Sequence, residues 1–155
     1  MTILFGSDHA GFALRRILST RAIDMGHAVR EYGSTDEQPY DYPDAAKDVA
    51  ERIQRGEAEI GVLICGTGIG MSIAANRFKG IRAAPCCTAE VAKLAREHNF
   101  ANVLCLGARL IEPDQAVAIF GTFLNEPEST EPRHQRRVMK MDSMGDALPA
   151  GRSTP

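Results

Sequence analysis

Cys65 closes the aliphatic run Ile60-Gly61-Val62-Leu63-Ile64 and opens the segment Cys65-Gly66-Thr67-Gly68-Ile69-Gly70. A short apolar run bounded by glycines reads as a buried strand, and Met71 to Arg77 reads as the start of a helix. The spacing predicts a thiol at a strand's C-terminal end, facing a glycine-rich turn at a helix N-terminus. Free backbone N–H groups and the positive end of the helix dipole stabilise anions at such a place. A thiol there can be drawn toward thiolate, and a developing oxyanion can be held beside it. A lone cysteine in a strand also packs well as a small apolar residue. Three glycines and the Thr67 hydroxyl at a helix start favour the chemical reading. The spacing Gly66-x-Gly68-x-Gly70 is not the dinucleotide fingerprint G-x-G-x-x-G, and no Gly-Lys-Ser/Thr ending follows. Both absences speak against a nicotinamide enzyme or an NTPase.

Four further groups could do chemistry. Asp8-His9 sits between Gly6 and Gly11; Asp8 alone is equally explained as a helix cap, but capping does not call for His9. His98-Asn99 falls at the end of a predicted helix, where the dipole favours a histidine without any catalytic role. Arg133 and Arg137 are spaced i, i+4 in Arg133-His134-Gln135-Arg136-Arg137, on one helical face. They form either a solvated basic face or a guanidinium clamp for a phosphate. Tyr40 and Tyr42 flank Asp41 in a predicted loop. The histidines at 9, 27, 98 and 134 lack the close paired spacings of a zinc site, so no metal is expected.

The elements that must position these groups alternate regularly. Strands are predicted at Thr2–Phe5, Ala28–Tyr32, Ile60–Cys65, Ile81–Ala84 and Asn102–Leu106. Helices are predicted at Phe12 to about Met25, Ala45–Arg55, Ile69–Asn76, Thr88 to about His98, Pro113–Leu124 and Glu131 to about Met144. Gly33 to Pro43 reads as a polar loop. Five strands alternating with helices argue for an α/β fold, a parallel sheet with helices on both faces. Ligands of such sheets bind beyond the strands' C-terminal ends. That rule gathers Asp8 and His9, Cys65 to Gly70, and Arg109 on one edge.

Composition sets outer bounds. The chain has 155 residues, 44% hydrophobic and 25% charged, with a formal net charge of −2. Residues 1–144 are expected to form one domain and residues 145–155 a polar, flexible tail. The charge argues against a nucleic-acid or acidic-membrane partner. No apolar run approaches the roughly 18–20 residues that span a bilayer. The chain enters Thr2–Phe5 without a basic leader, so secretion is not expected. Cys65, Cys86, Cys87 and Cys105 form no C-x-x-C pair, which suits a reduced, cytoplasmic protein.

Taken together, the segments Gly6-Ser-Asp-His-Ala-Gly11, Asp41-Tyr-Pro43, Cys65 to Asn76, Gly80-Ile-Arg-Ala83, His98-Asn99, Asn102-Val-Leu104, Gly107-Ala-Arg109 and Arg133 to Arg137 resemble the type B ribose-5-phosphate isomerase family. That family also includes the galactose-6-phosphate isomerase subunits. The resemblance runs in order from Thr2 to about Val138. It implies a Rossmann-like three-layer sandwich with a five-stranded parallel sheet. It implies a cofactor-free aldose–ketose isomerase of sugar phosphates, with ribose 5-phosphate first among the expected substrates. It also implies a homodimer, sometimes paired into tetramers, with active sites shared between subunits.

Carried over by residue, the resemblance makes Cys65 the base that moves a proton between C1 and C2. Thr67 and the amides of Gly66, Gly68 and Gly70 would hold the enediolate oxygens. Asp8 and His98 would assist ring opening, with His98 and Asn99 supplied by the neighbouring subunit. His9, Arg133 and Arg137, with Arg109 of the partner, would bind the phosphate, and Tyr42 would line the sugar pocket. The chemistry agrees: removing a proton beside a carbonyl creates an enediolate, which amide donors stabilise. Departures from the family pattern are Phe100 after His98-Asn99, Cys86-Cys87 after the fourth strand, and the tail beyond about Met144. The first two leave open a tetrose or hexose phosphate as substrate. A non-catalytic sugar-phosphate sensor and a thiol redox protein are the rivals from other classes.

Overall fold

In the computed structural model, residues 1–144 are described; the predicted tail at 145–155 lies outside the described residues. The strands are β1 (Thr2–Ser7), β2 (Ala28–Gly33), β3 (Ile60–Cys65), β4 (Ala83–Pro85) and β5 (Val103–Gly107). The helices are α1 (Phe12–Asp24), α2 (Tyr42–Gln54), α3 (Ile69–Ala75), α4 (Ala89–Asn99), α5 (Pro113–Asn125) and α6 (Pro132–Asp142). The strands form one parallel sheet in the order β2-β1-β3-β5-β4. The expected α/β architecture is thus present.

Strand periodicity sorts the core into two layers. Ile3, Phe5, Val62, Ile64, Leu104 and Leu106 pack on one face with residues of α1, α4 and α5. Leu4, Leu63, Cys65, Val103 and Cys105 pack on the other with residues of α2 and α3. Successive side chains of a strand point to opposite faces, so Cys65 follows Leu63 toward α2 and α3. β3 is buried along its whole length, as expected for a central strand covered on both faces.

The starts of two elements differ from the sequence expectation by more than one residue. α2 begins at Tyr42 rather than Ala45, because Pro43 occupies the first helical turn, where its missing N–H costs nothing. β4 begins at Ala83 rather than Ile81. The Ile81 amide is still engaged by the Phe78 carbonyl in the turn after α3 (3.1 Å). β4 is an edge strand and ends at Pro85, where the ladder loses a donor.

Candidate active site

Cys65 is the last residue of β3 and pairs in register with Gly107 of β5. Its side chain is 4% exposed. Gly66 beside it is half-buried, and Thr67 is exposed. The chain then turns through Gly68, whose φ of +78° lies in the left-handed region that glycine alone enters without strain. That turn brings the Gly68 N–H to 3.1 Å from the Cys65 sulfur. A donor aimed at sulfur interacts more strongly with a thiolate than with a thiol. The Thr67 hydroxyl accepts the Ile69 N–H at 3.3 Å, which holds its oxygen at the start of α3. The turn lies close on β5: a Cβ at Gly107 would meet the Thr67 carbonyl carbon at 2.8 Å. Gly107 is therefore needed for the turn's position, a role its sequence context did not reveal.

Asp8 and His9 follow β1 on the same edge. The Asp8 N–H donates to the carbonyl of Ile64, the residue before Cys65 (3.3 Å). Asp8 is 6% exposed and its Oδ1 accepts the Gly11 N–H at 2.9 Å. It closes a tight turn ahead of α1, whose N-cap is Gly11. A Cβ at Gly11 would meet the Ile64 carbonyl carbon at 2.6 Å, so this turn packs directly on the end of β3. His9 accepts the Tyr40 N–H at Nδ1 (3.2 Å). A neutral imidazole accepting there carries its proton on Nε2, leaving a donor for an anion.

Tyr42 and Arg109 cover the glycine turn from two sides. A Cβ on Gly70 would meet the Tyr42 ring at 2.6 Å, so the ring lies across Gly70. The Arg109 guanidinium lies over Gly66 of its own chain, 3.2 Å from where a Cβ would stand. The Arg109 backbone N–H donates to the Gly66 carbonyl (3.0 Å). Arg109 thus stands beside the glycine turn of its own chain.

His98, Asn99, Arg133 and Arg137 form a second group, apart from the first. His98 and Asn99 end α4, which returns the chain toward the beginning of β5. Phe100 beyond them is fixed by Arg82, whose Nε donates to its carbonyl (2.8 Å). Arg82 immediately precedes β4, so this group stands at the strands' N-terminal edge. β5 has five residues, and a rise of about 3.3 Å per residue puts the two edges roughly 13–17 Å apart. Arg133 and Arg137 are exposed on α6, which packs on α4. Within one chain they accompany His98 rather than His9.

His134 lies between those arginines, with its ring stacked on His98 at a centroid distance of 4.2 Å. It was not singled out from the sequence. The available signal was its i, i+4 spacing from Val138, which shares its burial.

The family profile described as "Ribose/Galactose Isomerase" matches residues 3–141. The chain belongs to this family. A relative in Escherichia coli K12 named ribose-5-phosphate isomerase B is 41% identical over 136 residues, 88% of this chain and 91% of that protein. A relative in Pectobacterium atrosepticum named D-erythrulose-4-phosphate isomerase is 41% identical over 127 residues, 81% of this chain and 83% of that protein. The crystal structure of a ribose 5-phosphate isomerase from Thermotoga maritima superposes with a TM-score of 0.88 at 47% identity, covering 91% of this chain and 97% of that one. The type B ribose 5-phosphate isomerase of Trypanosoma brucei gives 0.88 at 43% identity, covering 91% and 96%. As a ribose/galactose isomerase the chain is an enzyme with the fold of these structures. No helix among its described residues is long and apolar enough to cross a membrane.

Proposed function

We propose that this enzyme interconverts ribose 5-phosphate and ribulose 5-phosphate through an enediolate, with Cys65 as the base. The observation that carries the reading is the Gly68 N–H held 3.1 Å from the Cys65 sulfur in an amide-rich turn open at Thr67. The thiolate removes the proton from C2 of the open-chain aldose. The C–H electron pair forms the C1–C2 double bond, and the carbonyl π pair moves onto O1. A proton passes from O2 to O1, and return of the sulfur's proton to C1 gives the ketose. Nothing is oxidised or reduced overall. The Gly66 and Gly70 amides and Thr67 meet the negative charge as it grows, while the Gly68 amide faces the sulfur; one such donor is worth about 100–1,000-fold in rate.

The remaining roles follow from position. Asp8 and His98 exchange protons with the anomeric hydroxyl and the ring oxygen when the sugar ring opens. His9 offers Nε2–H to the phosphate, and Arg109, Arg133 and Arg137 offer guanidinium forks. Tyr42 walls the sugar, and Asn99 hydrogen-bonds it. The phosphate anchors the substrate far from C1 and C2, so its binding energy orients the reacting carbons.

A homodimer with shared sites is part of this proposal. His98, Asn99, Arg133 and Arg137 stand across the sheet from Cys65 of their own chain, which supports a second copy bringing them. Exposed Ile69 and Ile73 on α3, Val91 and Leu94 on α4, and Leu110 beside Arg109 supply apolar surface for such a contact. A recess of about 590 Å³ lined by Asn76, Phe78, Arg82, Pro85, Asn99 and Met141 lies next to the second group.

The test is ribose 5-phosphate conversion by purified protein, with and without EDTA, beside Cys65→Ala. Conversion that survives EDTA and is abolished in Cys65→Ala is expected, with phosphate-ester binding retained. Full turnover of Cys65→Ala removes the sulfur as base. The relative named for erythrulose 4-phosphate makes a four-carbon sugar phosphate the second reading. Comparing kcat/KM across phosphorylated aldoses of four, five and six carbons separates the two.

A further inference from the structure

His134 is a buried imidazole that the reaction above leaves unused. Its neighbours Arg133, Gln135, Arg136 and Arg137 are exposed, whereas His134 is 5% exposed. Its ring lies face to face with that of His98, with centroids 4.2 Å apart and planes within 4°. At that separation neither ring can tilt without losing the contact, so the buried ring sets the plane of the half-buried one. Stacking occupies one face of His98 and leaves both its nitrogens at the ring edge, where protons are exchanged. Both ends of the α6 region are tied down. The Ser129 N–H donates to the Glu97 carbonyl at 3.0 Å, and Arg82 grips both oxygens of Asp142 at 3.0 and 3.1 Å.

We propose that His134 is a positioning residue for ring opening: stacked beneath His98, it fixes the plane in which His98 presents its nitrogens to the sugar. The inference rests on the role given to His98 above. The surrounding charges agree with it. His98 faces His134 and, at 3.7 Å from Nε2, the carboxylate of Glu97 on its own helix. His134 faces His98 across the interface, and Arg133, Arg137 and Glu131 on its own side. Burial first, then His98, Arg133 and Arg137, push the His134 imidazole below its ordinary value, against the opposing pull of Glu131. Charging the buried ring is therefore disfavoured.

The experiment compares His134→Ala with His134→Phe, which keeps a flat ring but no titrating group. Should His134→Ala fail to fold, His134→Leu replaces it as the unstacked variant. Turnover of ribose 5-phosphate is read with a nitrogen-15 NMR titration of His98 in each protein. His134→Ala is expected to lower kcat by on the order of tenfold, with KM changing less than about twofold. The His98 midpoint should move as the stacked face is lost. His134→Phe should return both kcat and the midpoint toward wild type. The proposal is overturned if His134→Ala keeps wild-type kcat, or if His134→Phe is as slow as His134→Ala. It is also overturned if kcat falls while the His98 midpoint stays put, since that reports general loosening of α6. His98→Ala separates this from the underlying reading. Full turnover there would refute the role of His98 itself, while the NMR midpoints would still show whether His134 governs that ring.

Discussion

The amide of Gly68 reaches the sulfur of Cys65, 3.1 Å away, only because Gly68 adopts a φ of +78°. Any other L-residue pays about 1–2 kcal/mol for that conformation. Here the space is also closed, since a Cβ would stand 3.0 Å from the Leu106 carbonyl carbon and 3.3 Å from the Gly107 nitrogen. Both obstacles are backbone of the central sheet and cannot swing aside. The turn must therefore move, carrying the N–H away from the sulfur. Gly68→Ala should lose on the order of 100-fold in kcat and unfold several degrees earlier than wild type. Steady-state kinetics beside a thermal melt check it; unchanged kcat would show that this amide does no catalytic service.

Gly70 and Tyr42 present a different kind of clash. The obstacle to a Cβ at Gly70 is the Tyr42 ring, at 2.6–2.9 Å, and that side chain is 39% exposed. It can swing into solvent. Gly70→Ala should therefore keep its fold and raise KM several-fold by displacing the wall of the sugar site. The two residues touch, so their effects should not add. Gly70→Ala introduced into Tyr42→Ala should cost little more than Tyr42→Ala alone. Strict additivity in this double-mutant cycle would mean that the ring does not lie where the clash requires it.

The strands and the cysteine turn were legible from the sequence because the strands are short apolar runs and β3 ends in glycines. Where local signals compete, the sequence misleads. Pro43 reads as a breaker but serves as a first-turn residue of α2. Ile81 reads as strand because it is apolar, yet it is buried in the turn before β4. The split of the site into two groups has no local signature. It depends on α6 packing against α4, which ties Arg133 and Arg137 to His98. His134 was hidden by the same circumstance, since an Arg-rich run reads as solvated surface while its one buried member faces inward.

The adjacent thiols Cys86 and Cys87 should behave as opposites. All four cysteines are free. Cys86 is buried, and burial first, then Cys87, pushes its thiol up to about 12. Cys105 is raised well above its usual range by burial, then by Cys86 and Cys65. Cys87 is exposed. At pH 8 a thiol titrating near 12 is ionised to only about one part in 10,000, and the thiolate is the reactive form. Brief treatment of the native protein with a thiol-specific alkylating agent, followed by peptide mapping, should find label on Cys87 well before Cys86 or Cys105. Cys87→Ser should keep wild-type turnover. Equal labelling of Cys86 and Cys87 in the folded protein would contradict this burial.

His134 also links stability to pH. Its imidazole titrates below the ordinary 6.5 in the folded protein, because of burial, then His98, Arg133 and Arg137. Between the folded and unfolded values, the unfolded chain binds more protons at this residue. Stability therefore rises with pH across that interval. The contribution is complete above the ordinary imidazole value and is lost progressively as pH falls through it toward the folded value. Urea unfolding at matched protomer concentration should show wild type losing stability between pH 7.5 and 5.5. His134→Phe, which keeps the ring and removes the titration, should lose less over the same interval. If the variant declines as steeply as wild type, the buried imidazole is not the group that charges on acidification.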